Sequence, residues 1–366
     1  MNLFDFHNTL FMEENQFKIA EIFEERFNKS VSKENDKREE MNILMGNLAN
    51  NWIKMGKEIP NPLPLMGSIW RSGEVGILFS NTGKGKSILG VQIADAVSEG
   101  KELLNLQTSE QRIIYFDFEL STKAFQMRYT GETGASHHFN EKFIRVEIDR
   151  NKQLAREDLS FEELVIHSIK HHVEKYNPES IIIDNISYLA ATNEKSQQAL
   201  ALMKLILDLS RKRNLSILLI AHTPKRDVFK PIQLEDLAGS KALSNFTDIV
   251  FCIGESIQGS DIRYIKQLKN RNHRVDYHEN NVIECQLIKE NSFLHFKFMG
   301  FGKESQHLKS VSNTDEKENL LEKITHLKEK NLSNVKIASQ LGVSEATIRR
   351  KLKIIDSSQN TDDDER

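Results

Sequence analysis

The chain has 366 residues, 39% of them hydrophobic, and a formal net charge of −3, which allows one large domain with small appendages. That balance excludes bulk basicity as a draw toward nucleic acid, so any DNA-binding surface must be a local patch. The longest apolar runs, such as Ile217 to Ala221, are strand-length and too short to span a membrane.

The two cysteines, Cys252 and Cys285, stand apart within apolar runs, with no C-x-x-C and no histidine at metal-binding spacing. Buried free thiols of a reducing compartment are expected. The start, Met1 to Asp5, lacks the basic n-region of a signal peptide. The chain reads as soluble and cytoplasmic, with no membrane partner.

Residues 1–60 read as an N-terminal helical appendage in which acids outnumber bases. Phe17, Ile19, Ile22 and Phe23 give a partial stripe at helical spacing. The segment is either a solvated appendage or a subunit-contact element. Pro60, Pro62 and Pro64 break any helix and open the core, expected over 61–302.

The apolar run Val75 to Phe79 predicts a strand, and Ile88 to Val97 a helix. Between them lies Ser80-Asn81-Thr82-Gly83-Lys84-Gly85-Lys86-Ser87. Strand, glycine loop and helix in this order make a phosphate cradle. The glycines let successive N–H groups turn inward, and the helix N-terminus adds positive potential. Asn81, Thr82, Gly83, Lys84, Gly85, Lys86, Ser87 and Ile88 are the candidate nucleotide-binding residues. Lys86 is expected on the β and γ phosphates and Ser87 on Mg²⁺. The motif departs from G-x-x-x-x-G-K-[ST] at its first position, where Ser80 stands for glycine.

A second strand, Arg112 to Phe118, ends in Glu119, and Ser121 caps the helix that follows. A carboxylate at the end of a strand in a parallel sheet lies on the ligand edge, where it can polarise water for attack on a γ-phosphate. A short strand at Phe143 to Ile148 and an amphipathic helix from Phe161 to Tyr176 lead to Ser180-Ile181-Ile182-Ile183-Asp184. An apolar run ending in aspartate after a phosphate loop fits the second Mg²⁺ anchor. The next helix, 194–213, and strand, Ser216 to Ala221, end in His222, a candidate γ-phosphate sensor.

The loop Thr223 to Asp236 is basic at Lys225, Arg226 and Lys230. A helix-like stretch, Asp236 to Phe246, and strands at Asp248 to Ile253 and Ile262 to Leu268 follow. The last ends in Lys269-Asn270-Arg271, two cations that are either solvated or neutralise charge on a neighbouring subunit's nucleotide. Strands Val282 to Ile288 and Phe293 to Phe298 close the core.

Taken together, Gly83 to Ser87, Tyr115 to Ser121 with Arg128, Ile181 to Asp184, His222-Thr223, Asp236 to Leu243, and Lys269-x-Arg271-Asn272 resemble the RecA-like P-loop ATPases. Within them they resemble the DnaB/RepA-type (AAA_25-like) replicative helicases. The resemblance implies an α/β fold with a mainly parallel central sheet flanked by helices, and ATP and Mg²⁺ as ligands. It implies Glu119 as catalytic glutamate, alongside Lys86, Asp184 and His222. Lys269 and Arg271 would be supplied in trans within a hexameric ring. Lys225, Arg226 and Lys230 would grip single-stranded DNA in a central channel. Many relatives carry glutamine where His222 stands.

Residues 303–318 are polar and read as a linker. Three helices are expected over 319–355, at Leu320 to Glu329, Asn334 to Leu341 and Glu345 to Ile354, with Ile337, Ala338, Leu341, Val343, Ile348 and Leu352 as a small core. The segment resembles a resolvase-type helix-turn-helix, with Gly342 in the turn and Ser344 capping the third helix. Bases outnumber acids here. Glu345 and Thr347 would face base edges of duplex DNA, and Arg349, Arg350 and Lys351 its phosphates. The tail, 356–366, is acidic and expected to be disordered.

Two functions fit this reading. One is an ATP-driven DNA helicase or translocase of a plasmid or other mobile element, with primase or replication-initiation proteins as further partners. The other is an ATP-gated DNA-binding regulator or loader without motor activity.

Overall fold

The computed structural model describes residues 44–149, 161–186, 195–223, 230–237, 244–309, 323–328, 330 and 332–359. The chain divides into two compact units, Met1–Asn61 and Pro62–Arg366. In the first, the described part is a short segment and helix α1, Ala49–Glu58, on which Trp52 and Met55 recur at helical spacing. The stripe expected between Phe17 and Phe23 lies outside the described residues.

The second unit opens on a two-stranded antiparallel ribbon, β1 (Pro64–Met66) and β2 (Trp70–Arg71). A nine-stranded sheet follows. Its strands are β3 (Val75–Ser80), β4 (Ile113–Asp117), β5 (Phe143–Glu147), β6 (Ser180–Asp184), β7 (Ser216–His222), β8 (Ile249–Glu255), β9 (Ile262–Asn270), β10 (Val282–Glu290) and β11 (Phe293–Gly302). Their order across the sheet is β11-β10-β9-β8-β3-β7-β6-β4-β5. Strands β8, β3, β7, β6, β4 and β5 are parallel, and β9 to β11 extend the sheet antiparallel. This is the expected α/β class.

Unbroken apolar strands are buried on both faces, as parallel sheets covered by helices require. Alternate residues divide between the two cores. Leu78, Tyr115, Ile182, Leu218 and Ile220 pack with helix α2, Lys86–Glu99. Ile77, Phe79, Ile181, Ile183, Ile217 and Leu219 pack with Val165, Ile169 and Val173 of α4, Phe161–Tyr176, and with Met203 and Ile206 of α5, Lys195–Arg213. A Cβ on Gly90 would lie 2.7 Å from Ile220 Cδ1, so glycine there lets α2 sit close on the sheet. The short helix α3, Thr122–Arg128, is capped by Ser121, whose side chain accepts from the Ala124 N–H.

Residues 304–307, expected in the linker, pack onto the core instead. Residues 304–306 form a 3₁₀ turn, and Glu304 and His307 are each 1% exposed. Glu304 reaches back to Lys266 at 2.6 Å and also accepts from the Tyr264 hydroxyl and the Ile232 N–H. A polar composition concealed this return because each polar group has a buried partner.

Toward the C-terminus, residues 323–328 are helical, and α6 (Asn334–Leu341) and α7 (Glu345–Gln359) follow. Ser333 caps α6, and Gly342 ends it in the left-handed region at φ 66°. Ile324, Ile337, Ala338 and Ile348 form a small core of their own, against which Leu327, Leu341, Val343 and Leu352 pack.

Candidate functional site

Four parallel neighbours, β3, β7, β6 and β4, end at one edge of the sheet. Register places Ser80 beside His222, Asp184 beside Ile220, and Asp117 beside Asp184. The sequence therefore delivers its loop and three polar strand ends to one place.

After β3 the chain turns through Gly83 at φ 75° and Gly85 at φ 100° into the N-terminus of α2. A Cβ on Gly85 would stand 2.5 Å from the Phe296 ring, so both its torsion and its space require glycine. Ser80 ends β3 in extended conformation and its hydroxyl donates to the Asn81 carbonyl at 3.0 Å. The missing first glycine costs no strained torsion here. Lys86 is buried, and its Nζ donates to the carbonyls of Ser80 and Asn81 at 3.0 and 3.1 Å. Burial pushes its pKa down to about 8, against the opposing pull of Asp184 and Glu119.

Asp184 is 1% exposed. The Tyr115 hydroxyl donates to its Oδ2 at 2.5 Å, and the Ser87 hydroxyl also bonds it. Burial pushes its pKa up to about 6, the two hydroxyls resist, and Asp117 and Glu119 add to the rise. The attraction of Lys86 does not offset the burial of this carboxylate. Beside the Ser87 hydroxyl it offers the hard oxygen donors that suit Mg²⁺, whose charge would favour the ionised form. The inward-turning loop at a helix N-terminus likewise suits a polyphosphate.

Glu119 lies in the turn after β4. Asn185 Nδ2 donates to its Oε1, and His222 Nε2 lies 3.2 Å from the same oxygen and 2.7 Å from Asn185 Nδ2. The expected groups Lys86, Ser87, Asp184, Glu119 and His222 are thus brought together. Asn185 joins them as the hinge of the cluster. Its only sequence signal was its place directly after Asp184.

The free side of the loop has a partner that sequence reading missed. Glu255, ending β8, accepts from Asn81 Nδ2 at 2.9 Å and pairs with Lys84 Nζ at 2.7 Å. Asn81 Oδ1 in turn accepts from the Thr223 hydroxyl at 2.7 Å. The loop is therefore tied to the ends of both strands flanking β3. An acidic residue closing a buried strand, as at Asp184, was the available signal.

Lys269 and Arg271 lie elsewhere. Val250 pairs with Lys269, and Ile249 pairs with both Asn270 and Gly76, which places these cations at the opposite end of the sheet from their own phosphate loop. At ~3.3 Å per residue the offset along the strands is about 13 Å. Lys269 Nζ donates to the carbonyls of Ser244 and Thr247, and burial, with Arg271 nearby, lowers its pKa. Arg271 is half exposed, with Asp248 Oδ1 at 3.6 Å and the Asn245 carbonyl at 2.8 Å.

Lys230 is exposed, while Lys225, Arg226 and Ala238 to Leu243 lie outside the described residues. On α7, Glu345 pairs with Arg349 at 2.8 Å on an exposed face, and Arg350 is exposed. Thr347 is drawn into the cap, its N–H donating to Ser344 Oγ at 3.2 Å. Lys351 is a correction. It is only 8% exposed, because its turn of α7 faces the small core that receives Ile348 and Leu352, and it does not present a cation for phosphate.

Among the described residues no helix is long and apolar enough to cross a membrane, and no cluster of three or more His, Cys, Asp or Glu could hold a metal alone. Both cysteines are buried.

Residues 46–228, half of the chain, match the AAA_25 family model, described as an AAA domain. The match begins ahead of the proline-marked boundary, in the segment carrying α1, and stops before β8. No curated protein matches the chain. Among solved structures, one that resembles it is a KaiC-like protein from the hyperthermophilic archaeon Pyrococcus horikoshii OT3. It is 12% identical, covers 62% of this chain and 91% of its own, and has a TM-score of 0.43.

Proposed function

The chain belongs to the AAA_25 family, and from that premise we propose that it is an ATP-hydrolysing, RecA/RepA-like DNA helicase or translocase serving replication of a plasmid or mobile element. A P-loop ATPase with a RecA-like core is what the family and the strand order together support. The observation that carries the finer reading is the link from site to loop. Glu119, Asn185 and His222 form one cluster, and His222 is the last residue of β7 before the basic loop that holds Lys225, Arg226 and Lys230.

In this reading Lys86 and the N–H groups of residues 81–88 hold the phosphates. Ser87 and Asp184 hold Mg²⁺, which when bound screens charge on the phosphate oxygens. Glu119 orients and deprotonates the attacking water. His222, sharing Glu119 through Asn185, passes loss of the γ-phosphate to the basic loop, which would shift along one DNA strand. Arg271 and Lys269 sit too far from their own phosphate loop to act within one subunit. They would act on a neighbour's ATP in a ring, here proposed as hexameric.

The separate core of the C-terminal helices favours a second reading, an ATP-gated DNA-binding regulator or a loader for helicase or primase. There Glu345, Thr347, Arg349 and Arg350 would meet duplex DNA and nucleotide would set only the oligomeric state. ATP turnover and fork unwinding measured together, with and without single-stranded DNA, separate the two. The motor reading expects DNA-stimulated turnover coupled to strand separation. Turnover indifferent to single strands, without unwinding, leaves the switch. Mixing Arg271→Ala with Lys86→Ala subunits tests action in trans, because mixed rings should regain turnover and a lack of recovery contradicts it.

A further inference from the structure

We propose that Arg145, on the outermost strand of the sheet, is a positioning residue for Glu119, acting through Asp117. The inference rests on Glu119 being the group that activates water, as proposed above.

Glu119 sits on neither a strand nor a helix. The chain leaves β4 at Asp117 and must reach the cap of α3 at Ser121, so the glutamate lies in the middle of a short turn. Phe118 still pairs with β6, its N–H donating to the Asp184 carbonyl at 2.7 Å. The next two N–H groups have no strand partner. Asp117 Oδ1 takes both, from Glu119 at 3.2 Å and Leu120 at 2.8 Å.

The other carboxylate oxygen belongs to Arg145. Its Nε donates to Asp117 Oδ2 at 3.0 Å, and one terminal nitrogen reaches the same oxygen at 2.9 Å and the Leu120 carbonyl at 2.5 Å. One planar guanidinium therefore ties the residue two before Glu119 to the residue just after it. A fixed fork of donors does this, and a point-charge ammonium cannot. The guanidinium also lies 4.6 Å from the Phe125 ring centre, which holds it against α3. Side-chain exposures of 15% for Arg145 and 2% for Asp117 keep water from competing. The pair has an electrostatic use as well. Asp117, Glu119 and Asp184 crowd three carboxylates at neighbouring strand ends, and Arg145 supplies the positive charge on the side away from the phosphate loop.

Arg145 touches neither the phosphate loop residues nor Asp184 in these contacts, so its loss should spare nucleotide binding. A misplacement of about 1 Å at a catalytic group costs on the order of 10²-fold in rate. Arg145→Met keeps the apolar stem and removes the fork. The expected result is a roughly 10²-fold fall in kcat with the ATP dissociation constant unchanged. In a Glu119→Gln background the same change should cost nothing further, because both act through one group. Glu147→Gln, which removes the charge that meets the third Arg145 nitrogen and the Thr122 hydroxyl but leaves the Asp117 fork in place, should keep wild-type turnover.

Arg145→Met leaves Asp117 buried without its cation and could fail to fold. The double variant Asp117→Asn/Arg145→Met removes both charges and is expected to fold with the same loss of kcat. Wild-type kcat in either folded variant overturns the inference, as does a loss of ATP affinity that matches the loss of rate. If Glu119→Gln itself still turns over ATP, the reading of Glu119 fails instead, and the two failures are told apart.

Discussion

Replacing Asp184 by asparagine should make the empty protein more stable while removing its metal-dependent nucleotide binding. The carboxyl is 1% exposed and its pKa is pushed up to about 6 from 3.8, with burial the largest cause. A shift of about 2 units corresponds to a destabilisation of roughly 3 kcal/mol. The folded chain holds this proton more tightly than the unfolded chain. The penalty is therefore absent below about pH 4, grows as pH rises, and is complete above about pH 6. The amide oxygen can still accept from Ser87 and Tyr115, but its new N–H donors lack assigned acceptors, an offset of about 1–3 kcal/mol. A net gain of up to about 2 kcal/mol is expected near pH 8, and a net loss of about 1–3 kcal/mol near pH 4, where the ionisation penalty is gone and the amide offset remains. Urea unfolding with a chelator present, at both pH values, measures it. A variant less stable than wild type near pH 8, or a difference equal at both pH values, would refute the reasoning.

Other expectations follow from the same geometry. Gly85→Ala combines a φ of 100° with a Cβ 2.5 Å from Phe296. Strain of about 1–3 kcal/mol should lower ATP affinity by roughly tenfold or more in equilibrium titration. Affinity for Mg·ATP should fall as pH drops through about 6, where Asp184 takes a proton, and again as pH rises through about 8, where Lys86 loses one. A flat profile across that range would contradict both assignments. Glu304→Ala strands Lys266, itself 4% exposed, and should cost about 3–5 kcal/mol in thermal or urea unfolding. Adding Lys266→Met should return most of that loss.

The parallel core was legible because its strands are unbroken apolar runs. Ser180 to Asp184 and Phe161 to Tyr176 appear with their expected bounds, and Lys86 to Asp184 converge as the phosphate-loop grammar requires. Paired polar groups far apart in sequence were not legible. Asp117 and Arg145 are 28 residues apart, and Asn81 and Glu255 174 apart, so neither pairing leaves a local pattern. The ribbon β1–β2 escaped notice because its strands are only three and two residues long. The packing of residues 304–307 escaped for a different reason: Glu304 and His307 look solvated by composition, yet Lys266, Tyr264, Ser256 and Glu284 satisfy them inside. On α7 the run Arg349-Arg350-Lys351 looks uniformly basic, but helical rotation turns Lys351 inward.

The central claim is that the ends of β3, β4, β6 and β7 form a site that hydrolyses ATP with Glu119 as the group that activates water. Turnover of Mg·ATP by Glu119→Gln, beside equilibrium binding of the nucleotide to the same preparation, tests it most directly. Binding should match wild type while turnover falls by roughly 10²–10⁴-fold, the usual worth of a positioned general base. Unchanged turnover, or a loss of binding that accounts for the loss of turnover, would contradict it.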